Sequence, residues 1–422
     1  MPPAAKLMNR NFLLLWQGQL VSRIGAQGFS IAMLFWIKHE TGSATLMGTL
    51  MMFSQLPALL LRPVGGTLAD RYSRRRIIVV SDLLKGVSVL SLAALCFVRP
   101  QWTGGILVWL CAVAVFSAAV DSFFSPAISA AIPDLVPADK VARANSLRTI
   151  SDQGGRFIGQ ALGGMLFRLL GAPFLFLIDG LTYLFSALSE SFIAIPQAIP
   201  TKSKGWAELF RDFKRDTAAG FGYVWGDGGM RSFVWVNIIL GFFLPPILLL
   251  LPFYVEDTLQ APPDWYGFLW AAFSLAAVLG SLGAGFIKVA GPARSGLCLV
   301  CLLGFAVGLG GLGLVRTPLV ALGLMTLVGL LVGYVGINLV TILQLSVPTQ
   351  MRGRVLGVLD TLGGAAYPVS MGLAGVVADL TGQNIPLIYT VCGGMAALLL
   401  VGVALKPDFR RFLAFEVEAE SA

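Results

Sequence analysis

"GGTLADRYSRRRIIVV" fills residues 65–80, between one long apolar run and another. Arg71, Arg74, Arg75 and Arg76 crowd into six positions, with Asp70 immediately before them. The rest of the chain avoids charge: of its 422 residues 12% are charged and 56% hydrophobic, and mean hydropathy is +0.81. Soluble domains carry about 25% charged residues. Apolar runs long enough to cross a ~30 Å hydrocarbon core as helices recur throughout. The chain reads as a polytopic membrane protein, and the arginine cluster as a short turn between two crossings.

Breaks at charged, Pro-rich and Gly-rich turns divide the apolar runs into twelve helices. Their centres fall near Ile24, Ala58, Leu90, Phe116, Phe157, Phe185, Gly241, Ala277, Gly308, Leu331, Tyr367 and Leu398. The first run, about residues 11–37, is too long for a signal-peptide core and contains Arg23, so it reads as a retained membrane helix. Cytoplasmic loops retain positive charge, which tests the count. With the N-terminus inside, 21 Lys and Arg residues lie on the inner side and three, Lys38, Arg99 and Arg316, on the outer side. One missed crossing would invert every later loop. Both termini are then cytoplasmic, as is "TKSKGWAELFRDFKRD" at 201–216, an amphipathic stretch with Trp206, Leu209, Phe210 and Phe213 on one helical face.

This stretch lies near the midpoint, and the flanking halves repeat. Val136, Pro137 and Arg143 match Val347, Pro348 and Arg354; Gly48 and Gly66 match Gly267 and Gly285; Arg10 and Phe12 match Arg231 and Phe233. The offsets are 211, 219 and 221 residues. The expected organisation is an N-terminal six-helix half at 1–196, a cytoplasmic linker at 197–228, a C-terminal six-helix half at 229–406 and a cytoplasmic tail at 407–422. Paired six-helix halves are common among secondary transporters.

The run Gly66-Thr67-Leu68-Ala69-Asp70-Arg71-Tyr72-Ser73-Arg74-Arg75 resembles the loop signature of the major facilitator superfamily, G-x-L-A-D-R-x-G-R-K, with Ser73 for the second Gly and Arg75 for the Lys. "NFLLLWQGQLVSRIG" and "TGSATLMG" resemble the macrolide- and siderophore-efflux branch of that family. The matching loop of the second half, "GAGFIKVAGPAR", keeps Gly283, Gly285 and Lys288 but has no acidic residue. The resemblance implies an all-α membrane protein, with twelve transmembrane helices in two homologous six-helix bundles. It also implies an inner gate: Gly66, Asp70, Arg71, Arg74 and Arg75 would meet the start of the eleventh helix, where Arg352 and Arg354 stand. A carboxylate near a helix N-terminus sees the positive end of its dipole.

Charge in mid-membrane is costly and marks candidate sites. Arg23 and Asp121 each lie about twelve residues from the inner end of their helices, ~18 Å deep. They are the leading proton-coupling pair; the plainer alternative is a permanent structural salt bridge. Asp82 and Lys85, three apart, can pair on one helix. Arg156 sits in "GGRFIGQALGG", one turn after Asp152, a stretch that resembles the family's antiporter signature in helix five through Gly155, Gly159, Gly163 and Gly164, with Gln160 where that signature has Pro. Close packing through small residues explains the same spacing. Asp179, Glu190 and Asp360 read as nearer helix ends, with easy access to water. Gln17, Gln19, Gln27, Asn237, Tyr334, Asn338 and Gln344 are candidate cavity hydrogen-bonders. Phe29, Met33, Trp36, Phe242, Phe243 and Trp270 are candidate apolar lining.

Other classes fare worse. No basic strip with interleaved aromatics suggests nucleic acid, and no G-x-x-x-x-G-K-[ST] loop suggests ATP. Gly308–Gly313 satisfies GxGxxG, but mid-helix and without a preceding strand. His39 is the single histidine, and the Cys298/Cys301 CxxC has no second pair, so no metal or cofactor is expected. The expected function is proton-coupled efflux of small amphipathic compounds, drugs or siderophores, by alternating access. It would operate as a monomer in a bacterial plasma (inner) membrane. A lysophospholipid or other lipid transporter is the alternative, with a non-transporting sensor or a membrane enzyme behind it.

Overall fold

A computed structural model describes residues 7–197, 206–286 and 289–415. Unit one holds α1 (Arg10–Thr41), α2 (Ala44–Arg71), α3 (Arg74–Val98), α4 (Thr103–Leu135) and α5 (Val141–Ser191). These are followed by α6 (Trp206–Gly226), α7 (Gly228–Leu249), the single turn α8 (Leu251–Phe253), α9 (Asp264–Phe286), α10 (Gly291–Leu312), α11 (Pro318–Ser346), α12 (Thr349–Leu380), α13 (Ile385–Ala404) and α14 (Pro407–Leu413). No strand occurs among the described residues.

Several starts are set by short polar side chains. Asn9, Ser43, Ser73, Asp227 and Asn384 each accept a hydrogen bond from the backbone N–H three residues on, satisfying a donor the helix leaves open. Helix α5 is two crossings in one. Gly171 has φ 76° and ψ 169°, which a residue with a β-carbon rarely adopts, and it separates an arm at 141–170 from an arm at 172–191.

Among the described residues ten helices are long and apolar enough to span a bilayer, with α5 counted once. Taking its two arms separately and adding α2, whose 28 residues reach ~42 Å, makes twelve crossings. Each contains one of the twelve centres read from the sequence. Apolar side chains such as Leu60, Val108, Leu188 and Leu398 are exposed on the helix surfaces, as a bilayer solvent permits.

The chain divides into two compact units, Met1–Ser203 with Pro262–Gly267, and Lys204–Ala261 with Phe268–Ala422. In unit one, α1 packs along both arms of α5, α2 against α4, and α3 against α4 and α5. Phe12, Leu15, Ile78, Phe124, Ile128 and Ile132 form its core near one end. In unit two, α7 packs on α12 and α13, α10 on α11 and α13, and the short α14 covers α7 and α10. Phe233, Val236, Leu302, Tyr334 and Leu339 belong to its core.

Proline shapes α7. Pro246 has no N–H to give the carbonyl of Phe242 four residues back, and the Ser370 hydroxyl of α12 donates to that carbonyl instead. Nearby, Tyr389 of α13 donates to the Ile247 carbonyl at 2.7 Å.

The stretch read as a linker is helical from Trp206 as α6, which packs on α12 and α7. Its proposed apolar face, Trp206, Leu209, Phe210 and Phe213, lies outside the described side chains, as do residues 198–205.

Candidate functional site

The most consequential packing in unit one is between α1 and the first arm of α5. Gly155, Gly159 and Gly163 lie against Arg23, Gln27 and Ile31 of α1, step for step at four-residue intervals. A β-carbon on Gly159 would stand 2.4 Å from Gln27 Cβ. The glycines of the helix-five signature therefore act as a seam that lets two helix backbones approach. Gln160 is half-buried and Arg156 exposed.

This seam settles the partner of Arg23. Its Nε lies 3.2 Å from Asp152 Oδ1, one turn before Gly155, and Arg148 Nε lies 3.9 Å from the other Asp152 oxygen. The expected pairing of Arg23 with Asp121 does not form. Equal depth along two helices does not make them neighbours: α1 packs along α5, while α4 packs on α2 and α3.

Asp121 is held by Lys85 of α3 at 2.9 Å. The same ammonium lies 3.2 Å from Asp82 Oδ1 and sits over the rings of Phe124 and Tyr183, 4.1 and 4.4 Å from their centroids. Lys85 and Asp82 are 3% and 0% exposed, whereas Asp121 is 52% exposed. One buried cation thus links an interior carboxylate to one that reaches the surface of the unit. Each ring adds roughly 0.5–2 kcal/mol to such a desolvated cation.

Asp179 and Glu190 also differ from expectation. Both are 1% exposed rather than reaching for water. Position along the helix suggested access, but α1 and α3 cover this face of the second arm of α5. Gly18 and Gly25 of α1 approach Ser186 and Asp179, and Gln19 donates to Glu190 at 2.7 Å. The side chain of Asp360 is not described.

In the turn between α2 and α3, Arg74 is engaged on every side. Its guanidinium pairs with Asp134 at the end of α4, donates to the carbonyls of Ala130 and Ala69, and its backbone N–H donates to Gln197. Arg75 donates to the Ser191 carbonyl. Arg74 is therefore a clamp within unit one rather than a free gate cation. Gly66 and Arg71 are half-buried, and the Asp70 side chain lies outside the described part. In unit two, Arg352 donates to the Val347 carbonyl at 3.0 Å, and Arg354 lies 3.7 Å from Met351 Sδ. Asp134 was missed from the sequence; its signal is a carboxylate at a helix end, in "AIPDLVP", opposite an arginine-rich turn.

Several expected cavity residues are spent elsewhere. Gln19 is bound to Glu190, Met33 is 4% exposed, and Tyr334 is 5% exposed in the core of unit two, so these three do not line an open cavity. Gln17 donates to Ser189, while Asn237 and Asn338 bond carbonyls of their own helices. Gln27 remains half-buried beside the glycine seam, and Phe29 packs on Phe176 at 5.1 Å. Phe242 and Phe243 line an apolar crevice of about 530 Å³ on α7 and α13. Among the described residues no group of three or more His, Cys, Asp and Glu is placed to hold a metal ion.

Residues 15–371 match the family model of the Major Facilitator Superfamily. Macrolide efflux protein A of Streptococcus pyogenes is 23% identical over 383 residues, covering 88% of this chain and 90% of that protein. Multidrug efflux pump Tap of Mycolicibacterium fortuitum is 27% identical over 367 residues, covering 85% and 87%. The fold is similar to the crystal structures of a D-xylose-proton symporter (TM-score 0.69, 16% identity, 93% of this chain and 96% of that one) and of nucleoside transporter NupG (TM-score 0.72, 13% identity, 94% and 98%). Twelve crossings, a glycine-seamed helix pair, an arginine-clamped turn and a match over most of the length agree: this chain belongs to the major facilitator superfamily and is a multi-pass membrane transporter, not an enzyme.

Proposed function

We propose that this transporter is a secondary-active exporter that exchanges protons for amphipathic organic compounds, macrolide-like drugs among them. Similarity to a macrolide efflux protein and a multidrug efflux pump supports the substrate class and the direction. The observation that carries proton coupling is the Asp121–Lys85–Asp82 chain, in which a half-exposed carboxylate is tied to a buried ammonium. Protonating Asp121 removes its charge and frees Lys85 to shift toward Asp82. A change of protonation at the surface thus becomes a change of helix-to-helix contact inside the unit.

The inner-gate role of Asp70, with Arg71, Arg352 and Arg354, belongs to the same proposal, as do action as a monomer and residence in a bacterial inner membrane with both termini cytoplasmic. The test is drug accumulation in proteoliposomes under an imposed pH gradient. Uptake into vesicles oriented inside-out should follow the gradient, collapse with a protonophore, and lose its pH dependence in Asp121→Asn while substrate binding persists. Accumulation that ignores the gradient in the native protein would refute proton coupling.

A further inference from the structure

The Lys85–Asp121 contact leaves other buried carboxyl groups of unit one unexplained. The second arm of α5 carries Asp179, Tyr183, Ser186 and Glu190 at helical spacing along one face, turned toward α1 and α3. Glu190 Oε1 accepts from Gln19, but buried Oε2 has no donor. The carboxyl group of Asp82 lies within hydrogen-bonding reach of Glu190, with Ser186 beside it. Neither Asp82 oxygen has an aligned donor, although Lys85 Nζ stands 3.2 Å from Oδ1. Two acidic side chains, both essentially sealed from solvent, thus meet with orphaned oxygens on each.

The groups around this contact do not neutralise it. From α3 it faces Lys85, from α4 Asp121 and from α1 the neutral Gln19, while Asp179 and Tyr183 of the second arm of α5 face Asp82. The ammonium is already divided between Asp82 and Asp121. Two carboxylates in contact repel strongly in a low-dielectric interior, whereas one proton between them converts the contact into a charge-assisted hydrogen bond.

We propose that Asp82 and Glu190 share one proton, forming a second proton-binding site separate from Asp121, and that Lys85 governs which carboxyl group holds it. This rests on the proton-coupled reading above and deepens it. With Asp121 ionised, the ammonium is split between Asp121 and Asp82, and the shared proton lies between Asp82 and Glu190. When Asp121 takes a proton from water, an O–H bond forms there and its hold on Lys85 ends. The ammonium moves wholly to Asp82, which becomes its ionised partner, and the shared proton stays covalently on Glu190. One proton has been gained, at Asp121, and none lost. The Asp82–Glu190 hydrogen bond has been exchanged for a tighter Lys85–Asp82 ion pair, which changes the contact between α3 and the second arm of α5.

Difference infrared spectroscopy of the full-length protein in lipid nanodiscs reads this without any transport. The native protein at neutral pH should show a protonated-carboxyl C=O band, sensitive to deuterium, that disappears in Glu190→Gln. In Asp82→Asn the band should persist but shift, because the proton then belongs to Glu190 alone. Asp121→Asn should keep the Glu190 band at the shifted position, and Asp179→Asn should leave it in place. A native spectrum whose carboxyl bands survive both Glu190→Gln and Asp82→Asn unchanged would overturn the shared proton. Because the vesicle assay is independent, an absent band refutes this pair alone, and gradient-independent transport refutes the coupling reading alone.

Discussion

Gly159 lies so close to Gln27 that any side chain larger than hydrogen must move one helix: its β-carbon would meet Gln27 Cβ at 2.4 Å. Gly163 and Gly155 lie on the same seam with more give: a β-carbon on Gly163 would meet the flexible tip of Ile31, 2.2 Å from its Cδ1, and one on Gly155 would stand 3.1 Å from Arg23 Cβ. The seam both fixes α1 against α5 and delivers Arg23 to Asp152.

Gly159→Val should therefore destabilise the protein by roughly 1–3 kcal/mol, the usual range for overpacking. Gly154→Ala, five positions earlier with nothing within 4 Å of its built β-carbon, should be nearly silent. Melting temperatures in detergent compare the two directly. Equal shifts would show that the seam is not tight.

Arg74 and Asp134 should be energetically coupled. A double-mutant cycle with Arg74→Ala and Asp134→Asn should give an interaction of about 1.5–3 kcal/mol, as for hydrogen bonds to charged groups. Additive losses would mean that the arginine acts through its carbonyl contacts alone.

Lys85→Met removes the one ammonium shared by Asp82 and Asp121. Breaking a buried ion pair from one side typically costs about 3–5 kcal/mol, so expression of folded protein should fall sharply. Adding Asp82→Asn should recover part of the loss, because the stranded charge goes with it. If the double variant is no more stable than Lys85→Met, the lysine's packing over Phe124 and Tyr183 outweighs its charge.

Ser370→Ala should cost about 0.6 kcal/mol and at most ~1.7, the measured span for interhelical hydrogen bonds in membranes. In a Pro246→Ala background the loss should shrink, since an alanine there can supply its own N–H to the Phe242 carbonyl. Thermal shifts of the four proteins in that cycle decide it. An undiminished loss would place the value of Ser370 in its packing.

Single cysteines at Ser203 and Gln260, in a background without the five native ones, should label from opposite faces of the membrane. Labelling of both from outside would overturn the orientation drawn from positive charge.

The twelve crossings were legible because hydrocarbon thickness imposes a length on each apolar run, and the turn at 71–76 was legible because so much charge had nowhere else to go. The pairing of charges was not. Depth along a helix follows from counting residues, which is why Arg23 and Asp121 could be set at equal depth. Which face meets which neighbour depends on packing between helices distant in sequence, and that decided for Asp152 and Lys85. The glycines at 155, 159 and 163 were the available clue. Read as a seam, they put whatever α1 carries at the same four-residue interval against α5, starting with Arg23. Glu190 misled because an acidic residue near a helix end suggests water, while two neighbouring helices that run past it leave none.

Gly171 has a consequence for how the protein is made. Its two flanking arms share no loop, so neither can stay in the aqueous phase while the other settles into lipid. They can enter the bilayer together as one hairpin, and α1, which lies parallel to the first arm and antiparallel to the second, can nest against both as they arrive. Epitope tags or protease sites inserted at this position would then block biogenesis itself, whatever their effect on the finished transporter.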